Sequence, residues 1–438
     1  MQQVNIIGGG LAGCEAALQL AKRGVKVVLY EQKPHNHSPA HHNSNLAEIV
    51  CSNSLKSADL STASGLLKAE LELLDCQLLA LAKTCSVPAG SALAVDRDKF
   101  SALVTDCIKS SPNITIKYGE ITSLDSFAGQ PTIIASGPLT SDSLASSLSK
   151  LLGQNSRLYF YDASSPIVTA DSLDYNRIFA AGRYEAQNSD YLNCTLTKEE
   201  YYNFVDQLVA AKRVELKEFE NVNVFEGCMP IEIMASRGRD SLRFGPLKSV
   251  GLVDENGKRP YAVVQLRKET TEAKTYNLVG FQTNLTWPEQ KRVFSLIPAL
   301  KNAEFIKYGV MHRNTYICAP KYLDKNFCLK QNPNIYIAGQ LAGVEGYVES
   351  ITSGLVAAIS MYNKMQNLPA PDFGKHTIIG SLTNYISTAS DKNFQPMNAN
   401  FGLLPELDEK IRDKKERKLA YSKRSLKIME QLAKSYNI

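Results

Sequence analysis

Two sets of residues in this 438-residue chain have types and spacing suited to chemistry: a glycine turn near the start, and cysteines set in turns. Gly8, Gly9, Gly10, Leu11, Ala12 and Gly13 place the spacing G-x-G-x-x-G directly behind the apolar run 4–7. The first glycine of that spacing permits a tight turn, the second leaves room for a pyrophosphate, and the third lets a helix pack close to its strand. A helix predicted over 11–23 then points free amides and its positive dipole end at the phosphates. Residues 25–30 read as the next strand, and Glu31, 18 residues beyond Gly13, falls where a ribose hydroxyl needs an acceptor. An acid there suits FAD or NAD and disfavours a 2′-phosphate, without choosing between the two cofactors.

The nine cysteines include no C-x-x-C pair, which points away from a disulfide framework or a zinc site. Cys51 lies in the polar segment 47–57, ahead of a helix predicted from 65 to 83. A thiol before a helix start and near Lys56 suits a partial thiolate, and equally a buried structural cysteine. Cys228 occupies a Gly/Pro-bounded turn between Glu226 and Glu232, and nearby carboxylates favour the protonated thiol. His312 stands alone in 308–315, and lone histidines are commonly structural. His35, His37, His41 and His42 cluster beyond Glu31 without a cysteine pairing or an H-E-x-x-H helix, so they read as a polar loop and no metal is expected.

These residues need a scaffold, and the composition supplies one. At 44% hydrophobic and 21% charged the chain is ordinary globular protein, long enough for two or three domains. It has no run of 18 uncharged apolar residues and enters its first strand without a leader pattern, which predicts a cytoplasmic protein without membrane contact. Residues 132–138 read as an apolar strand running into a small-residue turn. Residues 334–340 read as a last core strand, and 343–350 as a glycine turn opening a helix that reaches about 364, a second place for an anion or flavin contact. Between 184 and 308 charged helical stretches alternate with short β-rich runs. The expected fold class is α/β: a Rossmann-like dinucleotide-binding domain (1–184, then 309–438), which the resemblance given below makes FAD-binding, with an inserted α+β domain (185–308).

Net charge is +5 but unevenly placed. Residues 409–438 hold ten Lys/Arg and four Asp/Glu, so they carry +6 and the preceding residues −1. That stretch is helix-like, with Ile411, Ala420, Leu426, Ile428 and Leu432 as packing positions. Its basic face reads either as a solvated helix surface or as a phosphate-contacting one.

The chain resembles one family over essentially its whole length: TrmFO, the folate- and FAD-dependent (uracil-5-)methyltransferases of the tRNA T-loop. The motifs that carry the resemblance include the opening turn, Glu48-Ile49-Val50-Cys51-Ser52-Asn53-Ser54-Leu55, Ala94-Val95-Asp96-Arg97 and Phe225-Glu226-Gly227-Cys228-Met229-Pro230. Further ones are Leu242-Arg243-Phe244-Gly245-Pro246, Gly309-Val310-Met311-His312-Arg313-Asn314-Thr315 and Gly343-Val344-Glu345-Gly346-Tyr347-Val348-Glu349-Ser350. Lys56 stands where arginine is more usual in the family.

The resemblance implies FAD as cofactor, with methylenetetrahydrofolate and NAD(P)H as co-substrates, and RNA as partner. It implies two functional cysteines, Cys51 and Cys228. Carbon-5 of uracil is a poor nucleophile, and thiolate addition at carbon-6 activates it. Cys228 is the expected carbon-6 nucleophile and Cys51 the residue that handles the carbon-5 proton or engages the flavin adduct; the reverse assignment stays open. His312 is implied to sandwich the folate pterin. Gly8 to Gly13, Glu31, Arg97, Gly339, Gln340, Glu349 and Ser350 are the expected cofactor contacts. The same chemistry on ribosomal RNA, or a GidA-like flavin partner in tRNA modification without its own methyl transfer, are the alternatives.

Overall fold

The computed structural model describes residues 3–38, 40–153, 157–183, 190–214, 229–254 and 257–435. The opening apolar run forms the strand Gln3–Ile7, whose last four residues are buried. It lies inside a six-stranded sheet of order Cys328–Leu329, Asn332–Ile337, Thr132–Ile134, Gln3–Ile7, Lys26–Glu31, Ile114–Tyr118. Every neighbouring pair is parallel except the Cys328–Leu329 edge. Central parallel strands are covered on both faces, which is why 4–7 and 27–29 read as apolar runs and not as alternating ones.

The helix Leu11–Lys22 joins the first two strands and packs against the long helix Tyr347–Met365 from the far end of the chain. The two helices meet through small residues, since a Cβ on Gly354 would sit 2.2 Å from the Ala12 carbonyl oxygen. Sequence-distant halves therefore build one FAD-type domain.

A second, antiparallel six-stranded sheet runs Ile178–Ala180, Tyr191–Leu196, Ala262–Lys268, Thr275–Leu278, Ile167–Thr169, Phe305–Lys307. It shares a separate core with the helices Lys198–Ala210, Ile231–Ser236 and Trp287–Phe294, centred on Phe204, Phe281 and Phe294. This sheet begins at Ile167, earlier than the expected boundary at 185, because its first two strands are three residues long and too short to show a pattern. The antiparallel pair Arg157–Ala163 and Met311–Ile317 carries the chain into and out of this second sheet.

The basic C-terminal helix, Lys414–Ser435, packs on the helix Ala63–Leu73 through Ser422, Ser425, Met429 and Ala433. Leu426 and Leu432 only flank that stripe. Serines share that stripe with Met429, and one of them, Ser425, reaches Glu70. The Glu70 carboxylate is fully buried and accepts from Ile378 N at 2.8 Å, Ile379 N at 2.9 Å and the Ser425 hydroxyl. One side chain thus caps the helix Ile378–Thr388 and fastens the C-terminal helix.

Truncating Glu70 to alanine leaves three buried donors without an acceptor and should cost about 2–4 kcal/mol. Burial pushes this carboxyl up from 4.5 to about 7, and the three donors only partly offset that. A carboxyl raised in the folded state contributes its stability fully below the unfolded value and loses it as pH rises through the folded one. The advantage of wild type over Glu70→Ala should therefore shrink from about pH 5 to about pH 8. Urea midpoints across that range check this, and a pH-independent gap would exclude the Glu70 charge as its source.

Candidate active site

A cleft of about 360 Å3 runs across the carboxyl ends of the parallel strands, where open α/β sheets bind their ligands. The Gly8–Ala12 turn forms its middle, with Glu31 and 119–121 on one side and 135–141, Gly339 and Gln340 on the other. Gly8 has φ +108°, and a Cβ there would lie 2.5 Å from the Ala135 carbonyl oxygen. A Cβ on Gly13 would stand 1.9 Å from the Gly8 carbonyl oxygen, so only glycine lets the helix start this close. Gly10 is the opposite case: a Cβ there would meet nothing within 4 Å and would point into open cleft space.

Glu31 is fixed by the turn it serves. One carboxylate oxygen accepts from Gly9 N at 2.8 Å and the other from Lys33 N at 2.9 Å. No side chain caps the first turn of Leu11–Lys22 or of Tyr347–Met365, so both helix N-termini leave amides for a ligand. Leu11, Ala12, Glu349 and Ser350 also line the cleft. Glu349 is buried; its Oε1 accepts from Ala399 N and Lys56 Nζ, while its Oε2 has no partner. A glycine cradle, two open helix starts and unpaired polar atoms in the wall fit a dinucleotide.

Cys51 is half-buried in the same wall. The Tyr347 hydroxyl accepts from Cys51 N at 2.9 Å and from Ser52 N at 3.1 Å, tying the cysteine to the start of the long helix. Burial pushes this phenol well above its ordinary range, so it stays neutral. Three cations close the loop from behind. Arg97 donates to Ile49 O at 2.7 Å and Cys51 O at 3.1 Å, Arg267 to Asn53 Oδ1 at 2.7 Å and Ser52 Oγ at 2.8 Å, and Lys307 to Val50 O at 3.2 Å. All three are near enough to act on Cys51 electrostatically. Burial lowers the pKa of Arg267 and Lys307, whereas the Glu269 carboxylate overcomes burial at Arg97 and raises it. A negative charge on the thiol would thus be attracted from three directions.

Arg97, an expected cofactor contact, lies behind the Cys51 loop. Its guanidinium is taken up by the Ile49 and Cys51 carbonyls and by an ion pair with Glu269, and it is not among the residues lining the cleft. It positions Cys51. Of the histidine cluster, His41 lines the cleft beside the buried Lys33–Glu48 pair, and burial pushes it down to about 4. Among the described residues no group of three or more His, Cys, Asp or Glu is placed to hold a metal.

Cys228 lies outside the described residues. The chain resumes at Met229, and Ile231 N donates at 2.7 Å to the carbonyl of Gln282, which lines the cleft. His312 sits on the strand Met311–Ile317, opposite Asp162. Arg267, Glu269 and Lys307 carry no signal in the sequence, because their roles arise only when the second sheet docks on the Cys51 loop. Tyr347 was present in a quoted motif but carried no role.

Full-length relatives decide the family. A methylenetetrahydrofolate–tRNA-(uracil-5-)-methyltransferase TrmFO from Acetivibrio thermocellus is 54% identical over 435 residues, covering 99% of each chain. The chain belongs to the TrmFO family. The TrmFO proteins of Natranaerobius thermophilus and Bacillus subtilis are 53% and 51% identical, covering 98% and 99% of both chains. The family model described as glucose inhibited division protein A matches residues 3–369. Among solved structures, GidA of Aquifex aeolicus superposes with a TM-score of 0.70 at 14% identity, over 99% of this chain and 77% of that one, which shows a shared fold. TrmFO proteins are folate- and FAD-dependent, and the cleft built on the opening turn is where FAD fits.

The glycines give a clean test of that fit. Gly10→Ala should leave the thermal stability of the cofactor-free protein unchanged, because the new methyl meets no protein atom, yet lower FAD affinity at least about tenfold by filling the pyrophosphate space. Gly13→Ala should destabilise the protein itself. Calorimetry and FAD titration separate the two; a Gly10→Ala protein that keeps full FAD affinity would place the pyrophosphate elsewhere.

Proposed function

We propose that this chain methylates carbon-5 of a uridine in tRNA, the T-loop uridine that becomes ribothymidine, with methylenetetrahydrofolate as the carbon source. The observation that carries the mechanism is the position of Cys51, on the wall of the cofactor cleft and gripped by Tyr347, Arg97, Arg267 and Lys307. When bound, FAD reduced by NAD(P)H supplies the one-carbon carrier and the hydride that completes the methyl group.

The protein's own part is placement and charge. Cys228 is the proposed nucleophile at carbon-6 of the uracil, and its addition makes carbon-5 nucleophilic. Cys51 takes the proton that leaves carbon-5. The surrounding cations stabilise its anionic form, and its loop cannot drift because both neighbouring amides are held by one phenol. His312 contacts the folate pterin. The target base must leave its stack to reach the cleft. Exposed cations of the C-terminal helix, among them Lys414, Lys415 and Arg417, hold RNA phosphates without reading sequence.

Transfer of label from methylenetetrahydrofolate to RNA transcripts tests this. Wild type should label a tRNA transcript and not a ribosomal one, while Cys228→Ala and Cys51→Ala should each lose at least about a hundredfold in rate with FAD retained. Label appearing only on the ribosomal transcript would reassign the substrate, and an active Cys228→Ala protein would reassign the nucleophile. Replacing Lys414, Lys415 and Arg417 together with glutamine should weaken tRNA binding and flatten its salt dependence by up to about one unit of slope per cation removed.

A further inference from the structure

Asn314 is 1% exposed and lines the cleft, yet neither its Oδ1 nor its Nδ2 has a hydrogen-bond partner. Burying a primary amide with both ends unsatisfied carries a desolvation penalty that leucine at the same position would avoid. The backbone around it is well tied. Asn314 pairs in register with Phe160, and Thr315 N donates at 2.8 Å to the carbonyl of Pro138, in the turn that ends the strand Thr132–Ile134. The side chain is therefore held against the cleft with its hydrogen bonds still to be made.

The sheet order says which part of a dinucleotide it meets. Glu31 and 119–121 lie on one side of the opening strand, and Pro138, Gly339 and Asn314 on the other. With the pyrophosphate at the Gly8–Ala12 turn and the adenosine ribose at Glu31, the flavin half falls on the side of Asn314. An amide offers one donor and one acceptor side by side. Phosphate, which only accepts, would leave Oδ1 unpaired; a lactam edge, N–H beside C=O, satisfies both atoms at once.

We propose that Asn314 is a flavin-binding residue whose Oδ1 accepts from, and whose Nδ2 donates to, the lactam edge of the isoalloxazine ring. The assignment rests on the FAD site described above. It places on the strand Met311–Ile317 a residue that fixes the in-plane orientation of the ring facing Cys51. Hydrogen bonds at that edge stabilise negative charge in the ring, so Asn314 also tunes the flavin towards reduction.

The experiment uses purified Asn314→Leu and Asn314→Asp proteins beside wild type, whose FAD binding is the control for the site itself. Stability without cofactor, FAD dissociation constant, visible absorption maxima and midpoint potential are measured for each. For Asn314→Leu, cofactor-free stability should equal or exceed that of wild type. FAD affinity should fall at least about tenfold, with shifted absorption maxima and a lower potential. Asn314→Asp should lower affinity further if its carboxylate faces the ring carbonyl. Unchanged affinity and spectrum in Asn314→Leu, with wild type binding FAD normally, would overturn the proposal. So would reduced cofactor-free stability with normal FAD binding, which would make Asn314 structural. Weaker binding with an unshifted spectrum and potential would place it on the ribityl chain, and a loss confined to folate affinity would place it on the pterin; either result overturns the flavin assignment.

Discussion

The buried ion pair between Arg97 and Glu269 is the contact on which the site depends. Arg97 comes from the first domain and Glu269 from just beyond the second sheet's strand Ala262–Lys268; Glu269 is almost wholly out of water and Arg97 mostly so. Buried charges are tolerated only when each is paired and its remaining donors are used, and losing one partner typically costs about 3–5 kcal/mol. Arg97 spends its remaining donors on the Ile49 and Cys51 carbonyls, and Arg267 meets Asn53 and Ser52 beside it. The requirement that these charges be satisfied fixes the segment 49–53 between the two domains. An otherwise irregular loop, with few backbone partners of its own, becomes a rigid mount for a thiol.

The other half of the wall obeys a packing constraint. Helix Leu11–Lys22 and helix Tyr347–Met365 approach closely because glycine and alanine face each other, so both helix starts open on the same cleft. Tyr347 then bridges the two constraints, since its ring begins the second helix and its hydroxyl holds the Cys51 loop. Charge satisfaction and small-residue packing meet at one phenol.

How much of this was legible in sequence follows from the range of the interactions. The opening turn, its strand, helix and Glu31 depend on neighbours within about thirty residues, and their types and spacing express that directly. Cys51 was visible as a thiol in a polar segment, but its cationic surroundings were not, because they come from residues 97, 267 and 307. Arg97 is legible as a motif residue, but its partner Glu269 is 172 positions away, and nothing in local pattern announces such a pair. Asn314 belongs to the motif 309–315, but no periodicity or spacing gives it a role, and its unsatisfied burial is what singles it out. The edge of the second sheet was misjudged for a simpler reason, since three-residue strands are shorter than any pattern that could reveal them.

The wiring of the cleft also bears on how the molecule is made. The Cys51 loop waits for a hydroxyl 296 residues later, Glu70 for amides 308 residues later, and the strand Thr132–Ile134 for its neighbour Asn332–Ile337. A ribosome must therefore deliver some four-fifths of the chain before the first sheet can close, and until then the strand Thr132–Ile134 lacks one neighbour and the first helix lacks the one that covers it. Contacts of such separation slow folding and prolong the exposure of apolar surface. Because the cleft is lined both by the opening turn and by residues 339–350, its wall is complete only once that late stretch has been made. A nascent chain that stops before the helix Tyr347–Met365 arrives has only part of that wall.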